Sequence, residues 1–196
     1  MDFYNLSSAP ASRKSMQALT KTEAHNSSIK LQDCTVYSRV GFRGLGAESF
    51  LAANGFPIPT QPNQSLLYNE DIVVLRLSKL EFWVVDTTNT HHELIEMLEV
   101  ASKNLANVYR LYCQHSHAFF LLTGEQTASM FSKLCSVDLR NFVFPSGSIA
   151  QTSVARTNAI VARQSKGGKE CILLMSDLAS ARYLWEAVVD ACAEFI

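Results

Sequence analysis

The sequence predicts an α+β fold made of two similar hairpin-plus-helix units with mainly antiparallel sheets. Three observations carry that expectation. Apolar residues alternate in short runs that give way to helical spacing; Gly, Pro and Asn residues separate the runs; and one order of elements occurs twice. That order is strand, glycine turn, short helix, proline-bearing connection, hairpin and longer helix, over residues 36–105 and again over 118–196. Two such units place helices on one face of each sheet.

Residues 1–28 are rich in Ser, Ala and Thr and lack periodicity. They are expected to form a mobile arm before a body of residues 29–196, ordered only against that body or a partner, with Phe3, Tyr4 and Leu6 as anchors. Val36, Val40 and Phe42 alternate with Tyr37, Arg39 and Arg43, which predicts a half-buried strand. Gly44 and Gly46 make a turn, a short helix follows over residues 47–54, and the run FPIPTQPN is an extended connection. Residues 72–77 and 82–85 form a hairpin. Thr90 and Glu93 suggest a capping box before a helix carrying Leu94, Leu98, Ala101 and Leu105.

In the second unit a strand begins at Tyr109 and continues past His115 and His117 to Leu122. Gly124 opens a helix over residues 125–135. Residues 149–162 contain few breakers and read as one long strand; a turn at residues 165–169 leads to a last strand over 171–175. Ser176 or Asp177 can cap the final helix, whose Ala181, Leu184, Trp185, Val188, Cys192 and Phe195 form a broad apolar face.

The chain has 196 residues and a formal net charge of −1, which excludes a generally basic nucleic-acid binder. Only 18% of its residues are charged, as suits a subunit buried in a complex and equally an ordinary domain at the low end of the range. No apolar run approaches the roughly 20 residues needed to span a bilayer. With no signal-like N-terminus, the cytoplasm is the expected compartment. Cys34, Cys113, Cys135, Cys171 and Cys192 are odd in number and contain no CxxC pair, so reduced, buried thiols are expected.

Chemistry-bearing motifs are sparse. GFRGLG fits neither the dinucleotide nor the phosphate-loop fingerprint and reads as a turn. On a continuous strand Cys113, His115 and His117 would share one face, where they could hold zinc or serve as polar strand residues; the second reading is preferred because a further ligand is lacking. No nucleophile elbow is present. No catalytic, cofactor-binding or metal residue is therefore assigned. The most distinctive stretch is residues 134–157, LCSVDLRNFVFPSGSIAQTSVART. Its Asp138 and Arg140 must pair if buried, and an extended backbone would put Phe142 and Phe144 on one face and Val143 on the other. Arg140, Phe142 and Phe144 are the candidate partner-contact residues, an arginine beside two aromatic anchors.

The order DLR, FPSG and AQT in that stretch resembles the gamma subunit of heterotetrameric sarcosine oxidase, a family related to the folate-binding domain of the glycine cleavage T-protein. The resemblance extends to RVGFRG followed by Phe50-Leu51, to the Pro62-Asn63 pair, to residues 74–85 with Glu81 and Trp83, and to SDLASARYLW at the last helix. Ser78-Lys79-Leu80 stands where Gly-Pro-Asp is common in the family.

The resemblance implies a folate-binding fold without its catalytic acid. T-protein relatives carry an acidic residue in a D-x-S-H-type strand motif, where this chain has Tyr112-Cys113-Gln114-His115. It implies a non-catalytic subunit that holds the larger alpha, beta and delta subunits together, with flavin, NAD and tetrahydrofolate in those partners. The complex would convert sarcosine to glycine and pass the one-carbon unit to tetrahydrofolate. A stand-alone folate-binding or aminomethyltransferase-like protein is the alternative.

Overall fold

The structure, a computed structural model, describes residues 28–195. The expected N-terminal arm, apart from Ser28, lies outside the described residues. Ten strands form two five-stranded sheets, and every strand pair is antiparallel. The first sheet has the order β3-β4-β5-β2-β6, with β2 Arg39–Arg43, β3 Gln64–Leu67, β4 Ile72–Arg76, β5 Glu81–Asp86 and β6 Tyr109–Leu111. The second has the order β1-β7-β10-β9-β8, with β1 Lys30–Asp33, β7 His117–Thr123, β8 Ile149–Val154, β9 Thr157–Lys166 and β10 Lys169–Asp177.

Helices α1 (Ala47–Ala53) and α2 (His92–Ser102) cover the outer face of the first sheet. A one-turn helix α3 (Cys113–Ser116) lies in the link before β7. Helices α4 (Thr127–Phe131) and α5 (Ala181–Cys192) cover the outer face of the second sheet. The inner faces pack on each other: Val73, Leu75, Trp83 and Val85 meet Phe119, Ile160, Leu173 and Met175 in one cluster. The layers are therefore helix, sheet, sheet, helix, the arrangement expected of two hairpin-plus-helix units. Both faces of the central strands are covered. β2 is buried from Arg39 to Phe42 instead of alternating as expected.

The units exchange their edge strands. β1 precedes the first unit yet pairs with β7 of the second, and β6 precedes the second unit yet pairs with β2 of the first. Where the two crossing links meet, Arg39 is 1% exposed. Its guanidinium donates to Thr35 O (3.2 Å) and Tyr37 O (3.0 Å) in one link and to Gln114 O (3.4 Å) and His117 O in the other. The correspondence extends to the glycines. Gly44 (φ +132°) and Gly124 (φ +127°) end equivalent strands, and a Cβ on either would stand 2.1 Å from a carbonyl oxygen, that of Asn107 or Ser28. The first of these is the GFRGLG turn.

Four local expectations differ from the structure. Residues 149–162 are not one strand: β8 and β9 are joined through Ala155 and Arg156, at φ +48° and +65°, the signs of a type I′ hairpin turn. Leu134 O accepts from Ala155 N at 2.8 Å and helps hold that turn. The Thr90–Glu93 capping box does not form, because the buried Asp86 carboxylate accepts from Thr88 N, Asn89 N and His91 N (2.7–2.9 Å) and sets the approach to α2. On α2 the buried face is Ile95, Leu98, Glu99 and Ser102; Ala101 and Leu105 are exposed. The helix after Gly124 is shorter than residues 125–135, because turns replace it from Ser132 onward. The last helix follows its predicted face. Asp177 Oδ1 accepts from Ala179 N at 2.8 Å and caps the 3₁₀ turn (Leu178–Ser180) leading into α5.

Candidate functional site

The residues singled out by sequence lie on the connection from α4 to β8, which crosses the end of the second sheet. Its backbone is fixed from beneath. Leu139 is 2% exposed and its carbonyl accepts from Arg163 Nη2, while Gly147 N donates to Arg163 O at 2.9 Å. Ser65 N and Ser65 Oγ donate to Gly147 O at 2.8 and 3.2 Å, joining the connection to the first sheet.

Asp138 and Arg140 pair at the surface. Arg140 Nε lies 2.9 and 3.0 Å from the two carboxylate oxygens, and Arg140 N donates to Asp138 Oδ1 at 3.0 Å. The hydrogen bond from the Arg140 side chain, more than any other influence, brings the Asp138 carboxyl down to about 2. Beyond Arg140 the chain turns. Val143 N and Phe144 N both donate to Arg140 O, at 2.9 and 2.8 Å.

The extended geometry expected for residues 142–144 is therefore not found, and the two phenylalanines part. Phe144 is 7% exposed and packs in the core beneath α4 and α5. Phe142 is 78% exposed, and Val143, expected on the opposite face, is 52% exposed beside it. The Arg140 guanidinium lies 4.8 Å from the Phe142 ring centroid. Arg140 and Phe142 thus form an exposed cation–aromatic pair on a loop whose ends are pinned.

Cys113, His115 and His117 do not share a strand face, because Cys113–Ser116 form the helical turn α3. Among the described residues no group of three or more His, Cys, Asp or Glu could hold a metal ion. Tyr112-Cys113-Gln114-His115 likewise lies in this link and not on a strand. Burial first, and the Arg39 charge second, push the His117 pKa down, and the imidazole stands edge-on to Trp83 at 4.9 Å. All five cysteines are buried and outside any disulfide; burial raises Cys34 and Cys113 to about 12, far from a reactive thiolate.

Three polar groupings were not visible in the sequence, because each joins at least one pair of residues distant in the chain. Glu81 accepts from Trp83 Nε1 at 3.0 Å and from Arg43. Lys166, at the end of β9, reaches Asp71 Oδ1 (3.0 Å) and Thr87 Oγ1 (3.1 Å) of the other unit, and His91 approaches Asp71 at 3.4 Å. Arg163 links β9 to the α4–β8 connection and to Glu170 at 3.2 Å. Beside Arg163 a cavity of about 650 Å³ opens between the edge of the second sheet and Asn141. A second, of about 560 Å³, lies near Glu81, Trp83 and His117.

Among solved structures, a chain of heterotetrameric sarcosine oxidase from Corynebacterium sp. U-96, in complex with pyrrole 2-carboxylate, has the same fold. The TM-score is 0.74 at 20% identity, over 94% of this chain and 96% of that one. Glycine cleavage system aminomethyltransferase T from Bartonella henselae matches with a TM-score of 0.58 at 20% identity, over 83% of this chain but 45% of that one. Among curated proteins none matches. The model of the GCVT N-terminal domain matches residues 60–195, most of the chain. The chain therefore belongs to the GCVT N-terminal domain family.

Proposed function

We propose that this chain is a non-catalytic, gamma-type subunit of a heterotetrameric, flavin-dependent sarcosine oxidase. In this reading it holds the larger alpha, beta and delta subunits together, and flavin, NAD and tetrahydrofolate belong to those partners. The observation that carries the reading is end-to-end correspondence: the shared fold covers nearly all of this chain and nearly all of the oxidase chain. The exposed Arg140–Phe142 pair on a pinned loop supports it, since arginine and aromatic anchors are enriched at interface hot spots. Phe144, being core, contributes by setting the loop's shape.

Membership of the GCVT family favours a second reading, a stand-alone folate-binding or aminomethyltransferase-like protein. Affinity purification of the tagged chain from its host separates the two. Co-purification of a flavoprotein in fixed stoichiometry, with sarcosine-dependent peroxide production by the complex, is expected. A chain that purifies alone and titrates with tetrahydrofolate at one site would support the second reading against the first.

A further inference from the structure

The cavity near Glu81, Trp83 and His117 forms where the apolar layer between the sheets gives way to polar side chains. Phe119, Met175 and Ile160 belong to that layer. His117, Asp177 and Asn158 each stand two positions from one of them along a strand, and so point to the same face of the second sheet. His117 and Asp177 are direct partners in the β7–β10 pair. The first sheet supplies Trp83, Glu81 and Arg43 to the same cavity, whose volume of about 560 Å³ is within the range of small-molecule pockets.

Two carboxylates, Glu81 and Asp177, line this cavity against a single arginine. Arg43 is committed to Glu81 through Nε (3.0 Å) and Nη2, and Glu81 also accepts from Trp83 Nε1. Asp177 is exposed and enters no ion pair among the described residues. Its cap on the 3₁₀ turn uses Oδ1 alone, so Oδ2 keeps its full accepting capacity. Asn158 is exposed beside it, and its side-chain amide bonds to no described residue. His117 is half-buried, with Nδ1 2.8 Å from Ser116 Oγ and Nε2 uncommitted. Burial, and then the Arg39 charge, hold its pKa down, so the imidazole is neutral at pH 7. The cavity therefore carries a net negative charge on accessible groups.

We propose that this cavity binds a compact organic ammonium ion, its N–H groups received by Asp177 Oδ2 and the Asn158 side-chain carbonyl, and its short carbon body beside the Trp83 and His117 rings. Charge-assisted hydrogen bonds to a carboxylate are the strong ones, and aromatic rings attract a cation that has left water. In the tautomer that donates Nδ1–H to Ser116 Oγ, His117 Nε2 accepts a further N–H. The carboxylates are not grouped for a metal ion among the described residues. The apolar wall is narrow, with Trp83 4% and Ile160 9% exposed, which favours a small body over a long chain. The site stands on this chain's own residues and does not depend on the assembly role.

The test is titration of the full chain with n-propylammonium and benzylammonium, followed by NMR of the tryptophan indole N–H groups, with n-propanol, benzyl alcohol and acetate as controls. The chain has two tryptophans, Trp83 at the cavity and Trp185 in the core beneath α5. A saturable shift of the Trp83 signal alone is expected with at least one amine, and none with the controls. Asp177→Asn keeps an oxygen for the cap and removes the charge; it should weaken binding at least tenfold. Arg43→Gln leaves Glu81 uncompensated and should tighten binding several-fold, with the urea midpoint of each variant checking the fold. Binding should also weaken as pH falls through the lowered His117 pKa, because protonation adds a positive charge to a site already facing Arg39 and Arg43 as well as Glu81 and Asp177. Absence of a saturable Trp83 shift in both wild type and Arg43→Gln, at amine concentrations of tens of millimolar, overturns the proposal. So does an equal response to the alcohols, or wild-type affinity in Asp177→Asn.

Discussion

Truncating Phe144 and Phe142 in turn separates a core residue from a surface residue two positions away. Phe144 is 7% exposed and sits among Phe131, Leu139, Leu184 and Trp185 in the cluster under α4 and α5. Phe144→Ala removes a whole ring from that cluster and leaves a cavity, a change that typically costs about 3–5 kcal/mol. For a chain of this size that corresponds to a fall in Tm of roughly 6–20 °C. Phe142, 78% exposed, touches the Arg140 guanidinium from the solvent side, so Phe142→Ala should cost no more than about 0.5–1 kcal/mol. The assay is urea denaturation of each variant, followed by tryptophan fluorescence. Trp185 belongs to the same cluster as Phe144, so the probe reports the region perturbed. Equal losses in the two variants, or a larger loss for Phe142→Ala, would refute the turn geometry and restore the extended one.

Other perturbations follow from the same structure. Arg39→Met strips four carbonyls of their donor at the crossing of the two links and should cost on the order of 4 kcal/mol; a lowered or biphasic urea transition would mark uncoupling of the two units, and an unchanged transition would contradict the staple. Burial outweighs Arg110 and raises the Glu99 carboxyl from 4.5 to about 7. The folded state therefore holds a proton that the unfolded state has lost between those values, and stability relative to Glu99→Gln should be greatest below pH 4.5 and decline as pH rises through 7. A wild-type minus variant difference that is flat or rising over that window would show the opposite. Replacing Ala155-Arg156 with Asn-Gly suits the positive φ of both positions and should raise stability by about 1 kcal/mol, read as a higher urea midpoint; a lower midpoint would mean the turn is held by side-chain contacts.

The elements that were legible in sequence are those whose local chemistry agrees with their place in the fold. The β4–β5 hairpin and α5 are examples, since their apolar faces match the surfaces they cover. The β8–β9 turn was hidden because Ala155 and Arg156 are not turn-forming residues; partners elsewhere hold them at positive φ. β3 was missed because an edge strand of four residues after a proline-bearing segment has little periodicity. The face of α2 was displaced because Glu99 is buried against Arg110 while Met97 and Val100 are exposed, which reverses the usual hydropathy signal. At the candidate site, the Asp138–Arg140 pairing was expected only on burial, yet it forms at the surface between residues separated by one. Arg163 was not legible, since its role depends on Leu139 and Glu170 reaching it from other segments. The exchanged edge strands are a long-range property, and only pairing partners reveal them.

The assembly role is tested most directly by recovering the native complex through a tag on this chain, comparing wild type with the Arg140→Ala, Phe142→Ala double variant. The wild-type chain should carry the larger flavin-containing subunits in fixed stoichiometry by native mass spectrometry. The double variant, with an unchanged urea midpoint, should lose association roughly 30-fold if the pair contributes about 2 kcal/mol, as interface hot spots do. Full recovery of the partners by the double variant would contradict the loop's part in docking, and a wild-type chain that brings down no flavoprotein would contradict the assembly role itself.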